Sequence, residues 1–356
     1  MKDSITIISS SRMGPGTFEA KFIPLSKVQQ VEKIIVARKE RGPEIDKVSY
    51  QVLPRLCKNP ILNLLITPFI LAKLVKKHKA KLLLAYHYIP HFYLVYIAAK
   101  FTATPYILGQ TGTDVHRLAA LPFRGWFIRR IIKNAMFFNV PGSKSKARWN
   151  ELGFDNVHIL HSTIDTERFI PSTSDTKEFD FIYIGRLEVY KGLPRIFNTM
   201  EELVKIYPNV KMAVVGYGSL EEELKTEVKK RGLDGNISFH GFQKDTRAWL
   251  HKARIFVMAS DNEGLPCALM EAMSCGMVCI SSLVGNIPDI IVKGKTGFGF
   301  TLAEVNSLKD LMQDAYENEA NLETMKKAAR AMIEEHHSHT SAIKLWENEL
   351  SGVIKQ

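Results

Sequence analysis

The chain has 356 residues, of which 46% are apolar and 24% charged, which predicts an ordinary globular protein of about two domains and excludes a disordered chain. Its four cysteines, Cys57, Cys267, Cys275 and Cys279, form no Cys-x-x-Cys and no zinc pattern; they are read as reduced core thiols, which suits a cytoplasmic protein and excludes a disulfide scaffold. The net charge of +11 is uneven: residues 1–170 hold 26 Lys and Arg against 11 Asp and Glu, whereas residues 171–356 hold 22 against 26, so the first half is expected to face a membrane, a nucleic acid or an acidic glycan.

No signal peptide is expected at Met1-Lys2-Asp3, which runs straight into a strand at 4–10. A loop with Gly14 and Gly16 follows; it is either a ligand-approaching glycine loop or a plain tight turn. Short apolar strands are predicted at Lys33–Ala37, Val48–Leu53, Lys81–Tyr86, Tyr106–Leu108 and Ala135–Val140. Helices are predicted at Leu62–Lys77, Phe92–Lys100, Phe123–Lys133 and Lys144–Leu152. This alternation implies a parallel sheet with helices on both faces. The longest apolar run, Ile61–Val75, is broken by Asn63, Thr67, Pro68 and Lys73 and is too short to span a bilayer.

His87 and His91 follow a strand end, where side chains face the ligand crevice of an open parallel sheet; they contact a substrate or are polar loop residues. On the helix at 123–133, Phe127, Ile128, Ile131 and Ile132 share a core face. Trp126, Arg129, Arg130 and Lys133 share the opposite one, which suits either a membrane surface or solvent; Lys73, Lys76, Lys77, Lys79 and Lys81 form a second basic cluster. Ser172–Glu178 reads as a polar linker. Beyond it, a strand at Asp180–Ile184 leads into Gly185-Arg186 and on to Lys191-Gly192. Two cations five residues apart around a glycine-bearing loop suit a diphosphate, since arginine offers a planar fork and lysine a mobile point charge. Gly216 ends the next strand, and Phe242 and Gln243 follow a third; His240 reads as a satisfied strand histidine.

The stretch Ser260–Gly276 lies between two strand-like runs, Arg254–Ala259 and Met277–Ser281. Pro266 suits the first position of a helix and Gly276 the position just past its end. The preceding loop, Asn262-Glu263-Gly264-Leu265, then lies against a helix N-terminus, an anion site made of backbone N–H groups and a partial positive charge. Glu263 and Glu271 are solvated carboxylates, or they accept hydrogen bonds from the hydroxyls of a sugar–nucleotide whose phosphates sit on that end.

The Glu-(seven residues)-Glu spacing within Glu263-Gly-Leu-Pro…Glu271-Ala-Met…Gly276, with Gly285-Asn-Ile-Pro-Asp after it, resembles the nucleotide-sugar core of glycosyltransferase family 4; the likeness covers most of residues 137–300. The resemblance implies the GT-B fold, an α/β architecture of two doubly wound, Rossmann-like parallel-sheet domains facing across a cleft. It implies domains at 1–165 for the acceptor and 179–335 for the nucleotide sugar, a linker at 166–178, and a last helix in 336–356 returning to the first domain. It places the donor diphosphate on Arg186 and Lys191, and donor contacts at Gly264, Leu265, Pro266, Cys267, Gly216, Phe242, Gln243, Gly14 and Gly16. The segment Gly109-Gln110-Thr111-Gly112-Thr113-Asp114 resembles the family's His-Gly loop, but Thr111 stands where the sugar-contacting histidine is usual, so Gln110, Thr111 and Asp114 are the residues there to consider.

The function so implied is retaining transfer of a sugar from a nucleoside-diphosphate sugar to a glycan or lipid-linked acceptor, in cell-surface polysaccharide or lipopolysaccharide synthesis. Glu263, Arg186 and Lys191 would act at the reacting centre and Glu271 at the ribose. No Asp-x-Asp motif stands near a strand end, so no metal and no cofactor beyond the nucleotide sugar are expected. A cytoplasmic protein peripheral on an anionic membrane is expected, with no nucleic-acid partner. The rival readings are a sugar-nucleotide epimerase on the same fold and a non-catalytic nucleotide-sugar or nucleic-acid-binding protein.

Overall fold

The structure is a computed structural model that describes residues 4–87, 90–111, 122–174, 176–304 and 307–354. The chain forms two compact units, Met1–Thr163 with His339–Gln356, and Ile164–Ser338. Each is built on one wholly parallel sheet. In the first the spatial order is β3 (Val48–Val52), β2 (Val31–Arg38), β1 (Ile5–Ser11), β4 (Leu82–Tyr86), β5 (Tyr106–Gly109), β6 (Phe137–Val140) and β7 (Val157–Ile159). In the second it is β10 (Ile237–Phe239), β9 (Met212–Val215), β8 (Phe179–Ile184), β11 (Ala253–Met258), β12 (Val278–Ser282) and β13 (Phe298–Phe300). Helices cover both faces of each sheet, which is why the central strands are continuous apolar runs: every residue of Leu82–Tyr86 is buried.

One face of the first sheet packs the helices Pro60–His78, His91–Thr102 and Pro122–Lys133 through Leu71, Leu74, Phe92, Val95, Ile128 and Ile132. As the helical spacing predicts, Ile128, Ile131 and Ile132 are buried while Trp126, Arg130 and Lys133 are exposed; Phe127 and Arg129, one from each expected face, are both half-buried. The other face packs Pro15–Lys27 and the C-terminal helix His339–Ile354, with Phe18, Phe22, Trp346 and Leu350 in one cluster. The helix Pro15–Lys27 is not among the elements expected from sequence, where its first residues read as a glycine loop. Gly14 is its N-cap, Pro15 opens it and Gly16 lies in its first turn. Strand β7 is likewise new.

The segment 166–178, expected as a linker, starts within the second unit: Phe169 is buried in its core, and the Phe169 carbonyl accepts from Ser274 Oγ at 2.6 Å and from Arg330 Nη1 at 3.1 Å. The chain enters and leaves this unit side by side, Ile164 N donating to the His337 carbonyl at 2.9 Å. Among the described residues no helix is long and apolar enough to cross a membrane.

Candidate functional site

The order of the second sheet reverses between β8 and β11. The chain passes from β8 outward through β9 and β10, then returns to lay β11 on the other side of β8. Loops leaving the carboxyl ends of these two strands diverge, and a crevice opens between them, the usual ligand position of an open α/β sheet. The loop after β8 holds Gly185-Arg186 and Lys191; the loop after β11 holds Ser260 and Glu263.

Across this point Lys191 Nζ lies 2.6 Å from Glu263 Oε1, and both side chains are nearly buried. Ser260 Oγ donates to the same carboxylate oxygen at 2.8 Å. Tyr190 supports the cations on one side. Its hydroxyl is bonded by the Arg186 guanidinium, and the Arg186 and Lys191 charges lie 5.6 Å and 5.3 Å from its ring centroid. Below, Tyr183 is buried with its hydroxyl donating to the Arg186 carbonyl at 2.8 Å; burial, with Glu263 nearby, holds that phenol neutral far above its ordinary range.

The loops are fixed by backbone packing that only glycine permits. Gly192 has φ +67°, and a Cβ there would overlap the Ala259 carbonyl at the end of β11. Gly216, at φ +144°, presses on the Gly185 carbonyl in the same way, and Gly285, at φ +58°, on that of Glu263. Asp261 N donates to the Tyr190 carbonyl at 2.7 Å, joining the β8 and β11 loops directly, and Asn286 N donates to the Gly264 carbonyl at 3.0 Å. Gly264 itself faces open space, with no atom within 4 Å of the place a Cβ would take.

The helix Cys267–Ser274 starts one residue later than the sequence predicts. Pro266 is its N-cap, in extended conformation, and no side chain caps this end; its first turn has no acidic residue, so the positive end of the helix dipole is not offset there. Gly276 lies past its end at φ +67°, as expected of a helix terminator. Glu271 is on this helix but is bonded away from the Lys191–Glu263 pair: Thr246 Oγ1 donates to its Oε2 at 2.9 Å. Burial raises its pKa, opposed by the Thr246 bond and by Arg168.

Phe242 and Tyr217 project from the loops after β10 and β9, both more than half exposed, and meet edge to face with centroids 5.6 Å apart. Gln243 Nε2 donates to the His240 carbonyl at 2.8 Å. His240 bonds Ser238 Oγ at 2.8 Å and packs on Trp249, the environment of a structural histidine. Tyr190, Tyr217 and Ser260 are the residues that sequence reasoning misses. An aromatic immediately before Lys191 is the available signal for Tyr190; nothing local marks the other two.

The first sheet also has a reversal, between β1 and β4. His91 opens the helix His91–Thr102 there, buried, with its Nδ1 2.9 Å from Ser10 Oγ. Burial lowers its pKa to about 3, helped by His87, Arg12, Lys39 and Arg38. His87 is half-buried at φ +70°, a conformation uncommon for a side chain with a Cβ. Gln110 is buried, with Oε1 accepting from Trp149 Nε1 at 3.0 Å; Thr111 is half-buried. Gly112 and Asp114 lie outside the described residues.

Residues 165–332 match the family model described as glycosyl transferases group 1. The chain is 28% identical to the amylovoran biosynthesis glycosyltransferase AmsK of Erwinia amylovora over 51% of this chain and 47% of that protein. It is 22% identical to the N-acetyl-alpha-D-glucosaminyl L-malate synthase of Bacillus anthracis over 80% of this chain and 78% of that one. The chain spans less than half the length of the first four curated relatives it matches. The structure of Anabaena HepE in complex with UDP superposes with a TM-score of 0.80 at 16% identity, covering 98% of this chain and 100% of that one. The chain therefore has the GT-B fold of two Rossmann-like units, and nearly all of its second unit matches the glycosyl transferases group 1.

Proposed function

We propose that the protein is a glycosyltransferase that takes a sugar from a nucleoside-diphosphate donor bound at the β8/β11 crevice. The observation that supports this reading most is the Lys191–Glu263 pair, 2.6 Å apart at the sheet's reversal and beside the Cys267–Ser274 helix N-terminus. A lone carboxylate beside an anion site would repel the ligand; held by Lys191 and Ser260, Glu263 is neutralised on one oxygen and keeps the other for sugar hydroxyls. The likeness to HepE, solved with UDP, and the group 1 match support a nucleotide-sugar donor.

In this mechanism the bond between the anomeric carbon and the β-phosphate oxygen breaks, and negative charge grows on the leaving diphosphate. Arg186, Lys191 and the helix N-terminus at Gly264–Cys267 stabilise that charge, so no metal ion is required. The acceptor hydroxyl attacks from the same face and passes its proton to the departing phosphate oxygen, which retains the anomeric configuration. Glu263 orients the sugar, Glu271 receives the ribose hydroxyls through Oε1, and Tyr217 with Phe242 forms an aromatic platform for the base, with Gln243 and Gly216 beside it. Leu265 and Pro266 complete the loop against the diphosphate. Gly14 and Gly16 are proposed donor contacts, and His87, Gln110, Thr111 and Asp114 are proposed acceptor or sugar contacts. We place the reaction in the cytoplasm, in building a cell-surface polysaccharide or lipopolysaccharide on a glycan or lipid-linked acceptor; the relative AmsK is named as a glycosyltransferase of amylovoran biosynthesis.

A screen of UDP-, GDP-, ADP- and CDP-sugars, read by release of the nucleoside diphosphate and by mass spectrometry of the glycan product, tests this reading. Turnover of at least one donor with EDTA present is the expected result. Release with no glycosylated product, or interconversion of the donor sugar, would point to the epimerase instead.

A further inference from the structure

Over its first half the helix Pro60–His78 buries two polar side chains beside Ile66 and Pro68 and exposes an apolar stripe. Its inward positions include Asn63 and Thr67, both buried and bonded to each other at 2.7 Å. Its outward stripe is Ile61, Leu64, Leu65 and Phe69, which share one helical face at i, i+3, i+4 and i+8 and are each 40% to 69% exposed. On the next helix the exposed Phe101 stacks on Phe69, ring centroids 5.1 Å apart, so the apolar surface extends beyond one helix. A helix facing water on one side shows the opposite pattern, with polar residues outward. Contiguous exposed apolar surface of this kind marks an interaction site.

Charge identifies the partner. The same stripe continues into Lys73, Lys76 and Lys77, all exposed, and residues 54–81 contain seven Lys and Arg with no Asp or Glu. The helix His91–Thr102 adds the exposed Lys100 and lies between Pro60–His78 and Pro122–Lys133, which it meets through the stacked Tyr93 and Phe127. The three helices bury their other sides in one core cluster, so Trp126, with Arg130 over its ring at 5.8 Å, stands in the same helical layer. We infer that this layer docks the protein on the surface of an anionic lipid bilayer. Ile61, Leu65, Phe69 and Phe101 enter the acyl boundary, Trp126 sits at headgroup level, and Lys73, Lys76 and Lys77 meet the lipid phosphates.

A second copy of the chain would cover the apolar residues, but its identical face brings no acidic group to the lysines. A nucleic acid would satisfy the lysines and leave the aliphatic side chains in contact with charged backbone. A bilayer surface answers both halves of the stripe. The inference concerns the first unit and stands independently of the donor chemistry.

Co-sedimentation of the full chain with vesicles tests it, comparing phosphatidylcholine alone with phosphatidylcholine containing one-third phosphatidylglycerol. Wild-type protein should partition to the anionic vesicles at low salt and dissociate as salt rises. Lys73→Gln/Lys76→Gln/Lys77→Gln should weaken the partition roughly a hundredfold. Leu65→Asn/Phe69→Ser, which keeps every charge, should lower it at least tenfold. Thermal unfolding and the shift produced by UDP serve as controls and should match wild type in both variants. Failure of wild type to bind anionic vesicles, or retention of full binding by Leu65→Asn/Phe69→Ser, overturns the inference while leaving the donor site untouched. A sedimentation-velocity dimer abolished by Leu65→Asn/Phe69→Ser, without vesicle binding, would overturn it in favour of a self-association face.

Discussion

Lys191 and Glu263 are separated by 72 positions in the chain, yet their charged atoms lie 2.6 Å apart. The pair exists because β8 and β11 are neighbours whose outgoing loops part at the point of reversal. Breaking it has two consequences that measurement can separate. Lys191→Ala leaves a nearly buried carboxylate with only Ser260 for support and should cost about 3 kcal/mol of stability. The double variant Lys191→Met/Glu263→Gln should be less destabilised than the sum of the single changes, in denaturant titrations analysed as a double-mutant cycle. Additive losses would mean the pair contributes nothing as a pair.

The exposed Arg186 side chain is hydrogen-bonded only to Tyr190 among the contacts described, and its carbonyl bond from Tyr183 survives truncation, so Arg186→Ala should change stability by less than about 0.5 kcal/mol. The charge-assisted contact proposed for it with the donor diphosphate would be worth roughly 1.5–3 kcal/mol, so kcat/KM should fall about ten- to a hundredfold. Tyr190→Phe keeps the ring beneath both cations and should lose less activity than Tyr190→Ala.

Gly16 offers a test in which stability and activity move in opposite directions. It lies in the first turn of Pro15–Lys27 with nothing within 4 Å of a Cβ position, so Gly16→Ala should raise stability by up to about 1 kcal/mol. If the glycine is there to let a ligand approach, turnover falls in the more stable protein. Unchanged turnover would make Gly16 a structural residue only. Gly216→Ala is the contrast: its Cβ would overlap the Gly185 carbonyl, and melting should drop well below that of wild type.

His91 ties stability to pH. In the folded protein its pKa is lowered to about 3, against an ordinary 6.5, because burial and the neighbouring cations disfavour the imidazolium. The unfolded chain therefore binds the proton first as pH falls. Stability from this histidine is complete above pH 6.5 and is lost on descending from there towards pH 3, with a slope of up to about 1.4 kcal/mol per unit. Urea titrations across that window should show the slope in wild type and a flatter profile in His91→Gln.

Much of the architecture is legible in the chain because buried parallel strands are short apolar runs and these alternate with helical periodicity. The loop-and-helix character of Ser260–Gly276 is legible too, from Glu263, Gly264, Pro266 and Gly276. The helix Pro15–Lys27 is not, since it opens Pro-Gly, holds Pro24, and buries Lys21, whose ammonium donates to the carbonyls of Leu160 and His161 from outside the helix. The exposed apolar stripe of Pro60–His78 is hidden for a related reason: Asn63 and Thr67 read as interruptions of an apolar run until each is seen to be the other's buried partner. Lys191 and Glu263 are each conspicuous locally, but their contact is a property of strand order, which no local pattern records.

The proposed function requires first of all that the Lys191–Glu263 crevice receive a nucleoside diphosphate. Isothermal titration of the full chain with UDP, GDP, ADP and CDP, repeated with Lys191→Ala, tests it most directly. At least one of the four should bind the wild type with micromolar to submillimolar affinity, and Lys191→Ala should weaken that ligand about ten- to a hundredfold. No binding by any of the four at millimolar concentration, or equal affinity in Lys191→Ala, would contradict the account.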